Sequence, residues 1–308
     1  MVRPAAILLA GPTASGKTAL AVKLAKRIGA EIINADSMQL YQGLGVLSAQ
    51  PLEAEKGDVP HHLFAHTDPS ERWSAGRWAE AALEALSTIN ARGKKAIFVG
   101  GTGLYFKVLT QGLAPVSPIP SKVRETTLQL AEKGYEALRE RAFGLDSLGA
   151  ARIKPGDTQR LIRLIEVVTA TGRTMAEVHA DTRPLLPEGS WTGFVLQPDR
   201  AELYQRIEAR FDAMMADGAL EEARVLHGRG LDRNLPAMKA VGLRPLLAHL
   251  DGEMTLEEAV VQGKTDSRRY AKRQFTWFAN QHGGWPRLPA DNPDAALQIM
   301  LQTIEKEG

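Results

Sequence analysis

The amino-acid sequence predicts an α/β protein in which a parallel-sheet core, flanked by helices, is interrupted by an all-helical insertion domain. Strand-like and helix-like segments alternate over the first third of the chain, which is typical of a parallel sheet. A glycine-rich phosphate loop directly follows the first expected strand. Further on, two proline-bearing breaks enclose a stretch of helical character.

Local patterns predict the elements of the first third. Ala5–Ala10 is a short apolar run that ends at Gly-Pro, as expected of a buried parallel strand. In Lys17–Ile28 apolar residues recur every four positions, which favours a helix, and Gly29 stands where its C-cap belongs. Glu31–Ala35 is expected to form the second strand, and Ala75–Arg92 a long helix.

The pattern changes after the third expected strand, Lys95–Val99. Prolines in 112–120 and in 183–189 mark two linkers, and the segments between them look helical, with Asp157 as a helix N-cap. We therefore expect a P-loop core of residues 1–116 and 188–308 and a helical insertion domain of residues 117–187.

The chain after the second linker returns to the core. Trp191–Gln197 has strand character, and the residues from Asp199 onward are mostly helical. A closing helix is expected at Pro293–Gly308.

Composition excludes several classes of protein. The 308 residues carry 38 basic and 36 acidic side chains, a net charge of +2, and no cysteine. Disulfides, thiolate catalysis and zinc sites with cysteine ligands are therefore excluded. The apolar stretch after Met1–Pro4 is too short for a signal peptide, and no run reaches the roughly 18 apolar residues of a membrane span. We expect a cytoplasmic protein without a membrane partner, and a monomer, because no exposed apolar stripe is evident.

The clearest chemical signal is a phosphate loop, which matches the pattern GxxxxGK[ST]. Its residues are Gly11, Pro12, Thr13, Ala14, Ser15, Gly16, Lys17 and Thr18. The backbone amides of such a loop cradle a diphosphate, Lys17 can neutralise it, and the Thr18 hydroxyl can ligate Mg²⁺. The core is therefore expected to be P-loop NTPase-like.

A phosphate loop indicates a diphosphate or triphosphate but not a reaction. NTPases usually place an acidic residue at the end of an apolar strand to hold Mg²⁺ through water, and the strand before Gly100-Gly101 has none. Asp36 is the one candidate in the core. It could hold a metal-bound water, act as a general base, or be a solvated loop carboxylate.

Eight segments of the chain resemble those of the tRNA dimethylallyltransferases and occur in the same order. The resemblance extends from residue 5 to about residue 282. The segments are GPTASGKT (11–18), DSMQLY (36–41), the pair His61-His62, VGGTGLYFK (99–107), QRLIRLIEV (159–167), RIEARFDAM (206–214), KAVGLR (239–244) and RRYAKRQFTWF (268–278).

This resemblance implies a magnesium-assisted transfer of the dimethylallyl group from dimethylallyl diphosphate to N6 of adenosine 37, beside the anticodon of tRNA, with release of diphosphate. It makes Asp36 the general base that accepts the proton of the amine. It assigns Thr13 and Arg210 to catalysis at the diphosphate, and Thr18 to the Mg²⁺.

The resemblance also implies contacts with the anticodon stem-loop of tRNA. In the core, the implied contacts are Asp36, Ser37, Met38, Gln39, Thr102, Lys239 and Arg244. In the insertion, they are Arg124, Gln159, Arg160, Leu161, Ile162 and Arg163. The basic run Lys264–Arg273 is a further candidate for the phosphate backbone, because it contains only one acidic residue. Most of its interleaved aromatic residues, Tyr270 among them, are expected in the core, and His61-His62 are expected to be structural.

Two departures from the family pattern bear on the grip on tRNA. Residues 43–51 lack a lysine and a threonine that are usual there, and Lys239 stands where arginine is frequent, which removes bidentate recognition.

Three other functions compete with this interpretation. A small-molecule P-loop kinase would need an arginine-rich lid over ATP and no tRNA-sized insertion, and a prenyltransferase of free AMP would have a shorter insertion. A non-enzymatic RNA-binding protein with an inactive loop would be expected to lack Lys17, Thr18 or Asp36, and all three are present.

Overall fold

The computed structural model describes residues 5–306. Over these residues six parallel strands form one sheet in the order β3-β2-β4-β1-β5-β6. The strands are β1 Ala6–Ala10, β2 Glu31–Asn34, β3 His61–His62, β4 Ala96–Gly100, β5 Trp191–Gln197 and β6 Arg287–Pro289. β1 lies between β4 and β5 and is buried along its whole length, which is why it is apolar throughout.

Helices make up most of the remaining structure. In chain order they are α1 Lys17–Ile28, α2 Glu53–Lys56, α3 Ala75–Ala91, α4 Gly103–Gln111, α5 Ser121–Glu132, α6 Tyr135–Leu145, α7 Ser147–Ala151, α8 Thr158–Thr171, α9 Met175–Ala180, α10 Arg200–Ala216, α11 Ala219–Gly228, α12 Leu243–Leu250, α13 Leu256–Gln281 and α14 Pro293–Lys306. A 3₁₀ turn, Ala237–Lys239, precedes α12.

Both faces of the sheet are covered. On one face, Ile7 and Leu9 of β1 share a buried cluster with Leu24 of α1 and Met300 of α14. On the other, the Trp78 indole of α3 stacks on the Tyr105 ring of α4, with ring centroids 3.9 Å apart, and its Nε1 donates to the Asn34 carbonyl at 2.9 Å. The sheet is therefore a rigid support for the loops at its ends.

Three of those loops leave the same edge of the sheet. The phosphate loop follows β1, Asp36 follows β2 and Thr102 follows β4. Because the strands are parallel, their carboxyl ends meet at one edge, which is where open α/β sheets bind ligands.

The chain divides into two compact units, Met1–Thr110 with Leu186–Gly308, and Gln111–Leu185. The sequence placed the boundaries at 116/117 and 187/188. Within the second unit, the two linkers lie against each other. Gly112 has a φ of +92°, and a Cβ there would come within 2.0 Å of the Arg183 carbonyl oxygen, so these linker residues cluster with the helices.

The second unit is helical over its described residues and has its own core. Leu138, Leu161 and Leu164 are among the buried residues where α6 and α8 pack. α8 begins at the predicted cap, since the Asp157 side chain accepts from the Arg160 amide at 3.1 Å.

The predicted fold class is confirmed. α1 and β5 have the predicted bounds, and Gly29 caps α1 in the left-handed conformation. The first two predicted strands differ from β1 and β2 by one residue at one end, and the predicted Lys95–Val99 is shifted by one residue at both ends relative to β4. The sequence missed β3 and β6, which have two and three residues and are too short for a detectable alternation. The closing helix runs to Lys306, and the last predicted residues, 307–308, lie outside the described chain, as does Met1–Pro4. No helix within residues 5–306 is long and apolar enough to cross a membrane.

Candidate active site

The phosphate loop has the backbone shape of an anion cradle. Ala14 and Gly16 both have positive φ, at 61° and 88°, which turns the chain so that α1 begins at Lys17. Gly16 caps that helix without a side-chain hydrogen bond, so the amides of its first turn are left for a ligand. A Cβ at Gly11 would lie 3.0 Å from the Leu196 carbonyl oxygen of β5, a tight contact with backbone that favours glycine there. These features favour an anion at the start of α1.

The side chain of Lys17 folds back over this loop. Its Nζ donates to the Pro12 carbonyl oxygen at 3.2 Å. Burial lowers the pKa of Lys17 to about 8, while the charge of Asp36 raises it and that of Arg210 lowers it further. A diphosphate bound here would restore full protonation by supplying the missing negative charge.

Thr13 is held from two sides by distant helices. Its hydroxyl accepts a hydrogen bond from Nη2 of Arg210 on α10. Its amide donates to Oε1 of Gln274 on α13 at 2.9 Å, so this one amide of the predicted cradle is already used within the protein. Burial lowers the pKa of Arg210, and the carboxylate of Asp36 counteracts the shift. The structure thus brings Thr13, Lys17, Arg210 and Asp36 into one electrostatic cluster.

Gln274 also reaches the loop after β4. It is 4% exposed, and its Nε2 donates to the Gly101 carbonyl oxygen at 2.9 Å. A Cβ at Gly101 would lie 2.2 Å from that nitrogen, so only glycine admits the amide. One buried side chain therefore ties the phosphate loop to the loop that carries Thr102.

Asp36 is oriented by the buried Asn34 at the end of β2. The Asn34 Oδ1 accepts from the Asp36 amide at 2.8 Å, and its Nδ2 donates at 2.9 Å to the carbonyl oxygens of both Asp36 and Leu63. The Asp36 Oδ1 in turn accepts from the Met38 amide at 3.0 Å. The other carboxylate oxygen, Oδ2, remains able to accept a proton, and Asp36 lines the cavity described below.

Thr102 and Ser37 lie next to this carboxylate. The Thr102 Oγ1 accepts from the Ser37 amide at 2.9 Å and lies 3.2 Å from the Ser37 hydroxyl. The Tyr270 hydroxyl of α13 is hydrogen-bonded to Thr102 and Gln274, and burial raises its pKa, with the charge of Asp36 adding to the shift. The sequence predicted Tyr270 in the core, whereas the structure places it in the wall of the cavity.

The cavity itself holds about 50 Å³, room for a few water-sized groups. Its lining residues are Thr13, Asp36, Met38, Leu47, Ser48, Ile207, Arg210, Phe211, Met214, Val241, Ser267 and Tyr270. The lining combines an acid, an arginine and hydroxyls with a set of apolar side chains. Such a cavity suits a substrate with an anionic end and a small hydrocarbon end.

A clamp holds the divergent segment 43–51 beside the cavity. The Glu222 carboxylate of α11 accepts from the Val46 and Leu47 amides at 2.8 and 2.9 Å. The Gln39 side chain donates to the Ser48 and Ala49 carbonyl oxygens at 3.1 and 2.7 Å. Both donors of the Gln39 amide are thereby used inside the protein, although the sequence assigned this residue to tRNA.

The remaining predicted tRNA contacts lie elsewhere in each unit. In the first unit, Lys239 and Arg244 are exposed, and neither has an ion pair within residues 5–306. In the helical unit, Arg124 and Arg163 lie 3.7 and 4.0 Å from the carboxylate of Glu166.

Residues 159–163 of the helical unit divide between surface and core. Gln159 is exposed, and Arg160 pairs with Asp157 at 3.4 Å. Leu161 is 1% exposed and Ile162 packs on the same core, which corrects the prediction for Leu161: its side chain does not reach the surface.

The basic run 264–273 is less positive than the sequence indicated. Lys264 pairs with Asp212 at 2.6 Å, and Arg268 pairs with Glu208, both acids of α10. The sequence counted only Asp266 against this run, because acids on a different helix cannot be assigned to it from spacing. His62, expected to be structural, lies 2.8 Å from the buried Glu31.

The residues present accommodate Mg²⁺ only together with a phosphate ligand. Within residues 5–306 no cluster of three acidic, histidine or cysteine side chains could hold a metal on its own. Mg²⁺ on phosphate substrates usually keeps several waters and takes one or two protein ligands, which the Thr18 hydroxyl could supply. The donor set therefore fits a metal that arrives with a diphosphate.

Comparisons with known proteins identify the family of the chain. A family model described as IPP transferase matches residues 39–281, and one described as isopentenyl transferase matches residues 4–61. The chain is 50% identical to the tRNA dimethylallyltransferase of Phenylobacterium zucineum over 301 residues, 97% of each chain. It is 53% identical to the tRNA dimethylallyltransferase of a Bradyrhizobium species over 278 residues, 90% of this chain and 91% of that relative.

Two solved structures are also similar. The full-length tRNA isopentenylpyrophosphate transferase of Bacillus halodurans is 32% identical, with a TM-score of 0.73 over 98% of this chain and 97% of that one. A eukaryotic dimethylallyltransferase acting on tRNA is 27% identical, with a TM-score of 0.81 over 92% of this chain and 73% of that one.

Proposed function

The chain belongs to the IPP transferase family, and on that basis we propose that it is a tRNA dimethylallyltransferase. It transfers the dimethylallyl group of dimethylallyl diphosphate to N6 of adenosine 37, next to the anticodon. The observation that carries the proposal is the meeting of one carboxylate, Asp36, with the Thr13–Lys17–Arg210 cluster at a single small cavity with apolar walls.

The donor is held by its diphosphate. The amides of the first turn of α1, the Lys17 ammonium and the Arg210 guanidinium bind the phosphate oxygens, and the apolar cavity walls receive the dimethylallyl group. The Thr18 hydroxyl would hold Mg²⁺ that arrives with the diphosphate, and the metal would supply further charge neutralisation. These groups stabilise negative charge as it develops on the leaving diphosphate.

At the other side of the cavity, Asp36 acts as the general base. An exocyclic amine conjugated into a purine is a weak nucleophile, so its proton must be removed as it attacks. The bond from N6 to C1 of the prenyl group forms, the bond from C1 to the diphosphate oxygen breaks, and the proton of N6 passes to the carboxylate of Asp36. Asn34 and the Met38 amide fix the direction of that carboxylate.

The acceptor is an adenosine drawn out of the anticodon loop. A base that is stacked inside the anticodon loop cannot enter the cavity. Enzymes that act on bases therefore unstack them and read their edges with short polar groups. Ser37 and Thr102 are suited to that role. Arg124, Gln159, Arg160, Arg163, Lys239 and Arg244 would hold the anticodon stem-loop by its phosphates and sugars.

The test is transfer of label from radioactive dimethylallyl diphosphate, with Mg²⁺, to unmodified tRNA. Asp36→Asn is expected to lower the rate by about 100- to 10,000-fold, the usual contribution of a general base. The asparagine keeps an acceptor for the Met38 amide, so binding of pyrophosphate should persist. Asp58→Asn, at an exposed acid, is the matched control and should keep full activity.

Two outcomes would overturn the proposal. One is a wild-type enzyme that leaves tRNA unlabelled but transfers phosphate from ATP to a small acceptor. The other is an Asp36→Asn variant that labels tRNA as fast as the Asp58→Asn variant does.

A further inference from the structure

Much of the cavity wall is apolar. Ile207, Phe211 and Met214 lie on α10, one or two turns from one another, and this helix also carries Arg210. The other apolar lining residues are Met38, Leu47 and Val241. Since the cavity holds only about 50 Å³, these side chains limit what can lie beyond the diphosphate.

Phe211 is the member of this wall that packs directly on backbone. Its ring is 3% exposed and rests on two glycines, Gly242 before α12 and Gly263 within α13. A Cβ at Gly263 would lie 2.2 Å from the Phe211 Cζ, and one at Gly242 would lie 2.6 Å from its Cε2. Backbone contact at both glycines therefore restricts how far the ring can shift.

We propose that Phe211, seated on Gly242 and Gly263, sets the maximum length of the prenyl chain that the enzyme accepts. This inference rests on the proposed prenyl transfer. The cavity is small enough to suit a five-carbon group. A ten-carbon geranyl group is twice as long, and because backbone contact at both glycines restricts the ring, geranyl diphosphate is excluded by overlap with it.

A competition assay tests the proposal. Wild-type enzyme and the variants Phe211→Leu and Phe211→Ala receive equal amounts of dimethylallyl and geranyl diphosphate with Mg²⁺ and unmodified tRNA, and the two modified adenosines are separated by mass. We expect the geranyl-to-dimethylallyl ratio to rise at least about tenfold in both variants, as for removal of a steric wall in an apolar pocket. Because both products come from one enzyme sample, the ratio does not depend on the fraction that is folded.

Phe64→Ala is the control for loss of a ring. Phe64 packs against the cluster on the α1 face of the sheet and does not line the cavity, so its ratio should equal that of the wild type. A ratio unchanged from wild type in both Phe211 variants, while they still transfer the dimethylallyl group, would refute the role of Phe211. A wild type that prenylates tRNA with neither donor would instead refute the proposed function.

The glycine seat provides a second test in the opposite direction. Gly263→Ala should push the ring into the cavity and raise KM for dimethylallyl diphosphate, although alanine favours the helix. Adding Phe211→Leu should restore KM toward the wild-type value, because the smaller side chain makes room for the new Cβ. A Gly263→Ala defect that Phe211→Leu leaves unrelieved would contradict the proposed seat.

Discussion

Replacing Gln274 by methionine should loosen the phosphate loop without emptying the core. Methionine has nearly the same length as glutamine and can fill the space, but it cannot accept from the Thr13 amide or donate to the Gly101 carbonyl. The Thr13 amide and the Gly101 carbonyl would then lack their hydrogen-bond partner. Because the side chain at 274 is only 4% exposed, water has little access to take its place.

The size of the effect follows from those two contacts. Each buried backbone group left without a partner costs about 1–3 kcal/mol, or about 2–6 kcal/mol for the pair. Burial of the apolar methionine side chain offsets about 1–2 kcal/mol. We therefore expect the free energy of unfolding to fall by about 1–4 kcal/mol, centred on about 2.5 kcal/mol. Affinity for pyrophosphate should fall as well, since the loop that binds it loses a support.

Urea unfolding measures the first quantity and titration calorimetry with pyrophosphate the second. Gln205→Met, at an exposed position of α10, is the matched control and should change stability by less than about 0.5 kcal/mol. If Gln274→Met shifts the unfolding midpoint no more than Gln205→Met does, at equal m-values, the contacts of Gln274 do not hold the loop and the reasoning fails.

Two further predictions concern pH. Because burial lowers the pKa of Lys17 to about 8, its charge is present below pH 8 and lost above, so pyrophosphate affinity should fall by up to about tenfold between pH 8 and 9. Calorimetry on the wild type and on Lys17→Met measures the pyrophosphate affinity at both pH values. An equal fall in affinity in the variant would contradict the prediction. For Glu31, burial alone would raise the pKa, but hydrogen bonds from His62, Lys94 and Arg92 lower it to about 2 from 4.5. Its contribution to stability is therefore present above about pH 4.5 and lost as the pH falls toward 2, so Glu31→Gln should be less stable than wild type at pH 7, with a difference that shrinks on acidification. Urea unfolding across this pH range measures the stability difference between the wild type and Glu31→Gln. A difference that does not change with pH would contradict the stabilising role of the contacts of Glu31 with His62, Lys94 and Arg92.

Much of the core was predictable because its signals are local. Short runs of apolar residues predict the strands and α1, and Gly29 predicts where α1 ends. Each of these signals spans only a few residues. The phosphate loop was predicted from a contiguous motif, and Asp36 was singled out because it directly follows a predicted strand. The helical insertion was recognised from prolines that bound it.

The supports of the site were not predictable in the same way. Gln274 meets Thr13 across 261 residues, and nothing in the sequence near either one indicates the contact. Tyr270 has the helical spacing of a core aromatic residue, and periodicity cannot distinguish a core from a cavity wall. Lys264 and Arg268 looked unopposed until α10 placed Asp212 and Glu208 beside them. Such contacts depend on how helices pack, which the order of residues does not specify.

The clamp of Glu222 has a consequence for how this enzyme can evolve. Its carboxylate holds the amides of Val46 and Leu47, which every residue except proline possesses. The path of the segment 43–51 is therefore set independently of most of its side chains. Substitutions other than to proline at 46 and 47 should therefore be tolerated there while the loop keeps its shape. A loop transplanted from a relative should adopt the same path wherever the acid at 222 is retained and no proline occupies 46 or 47.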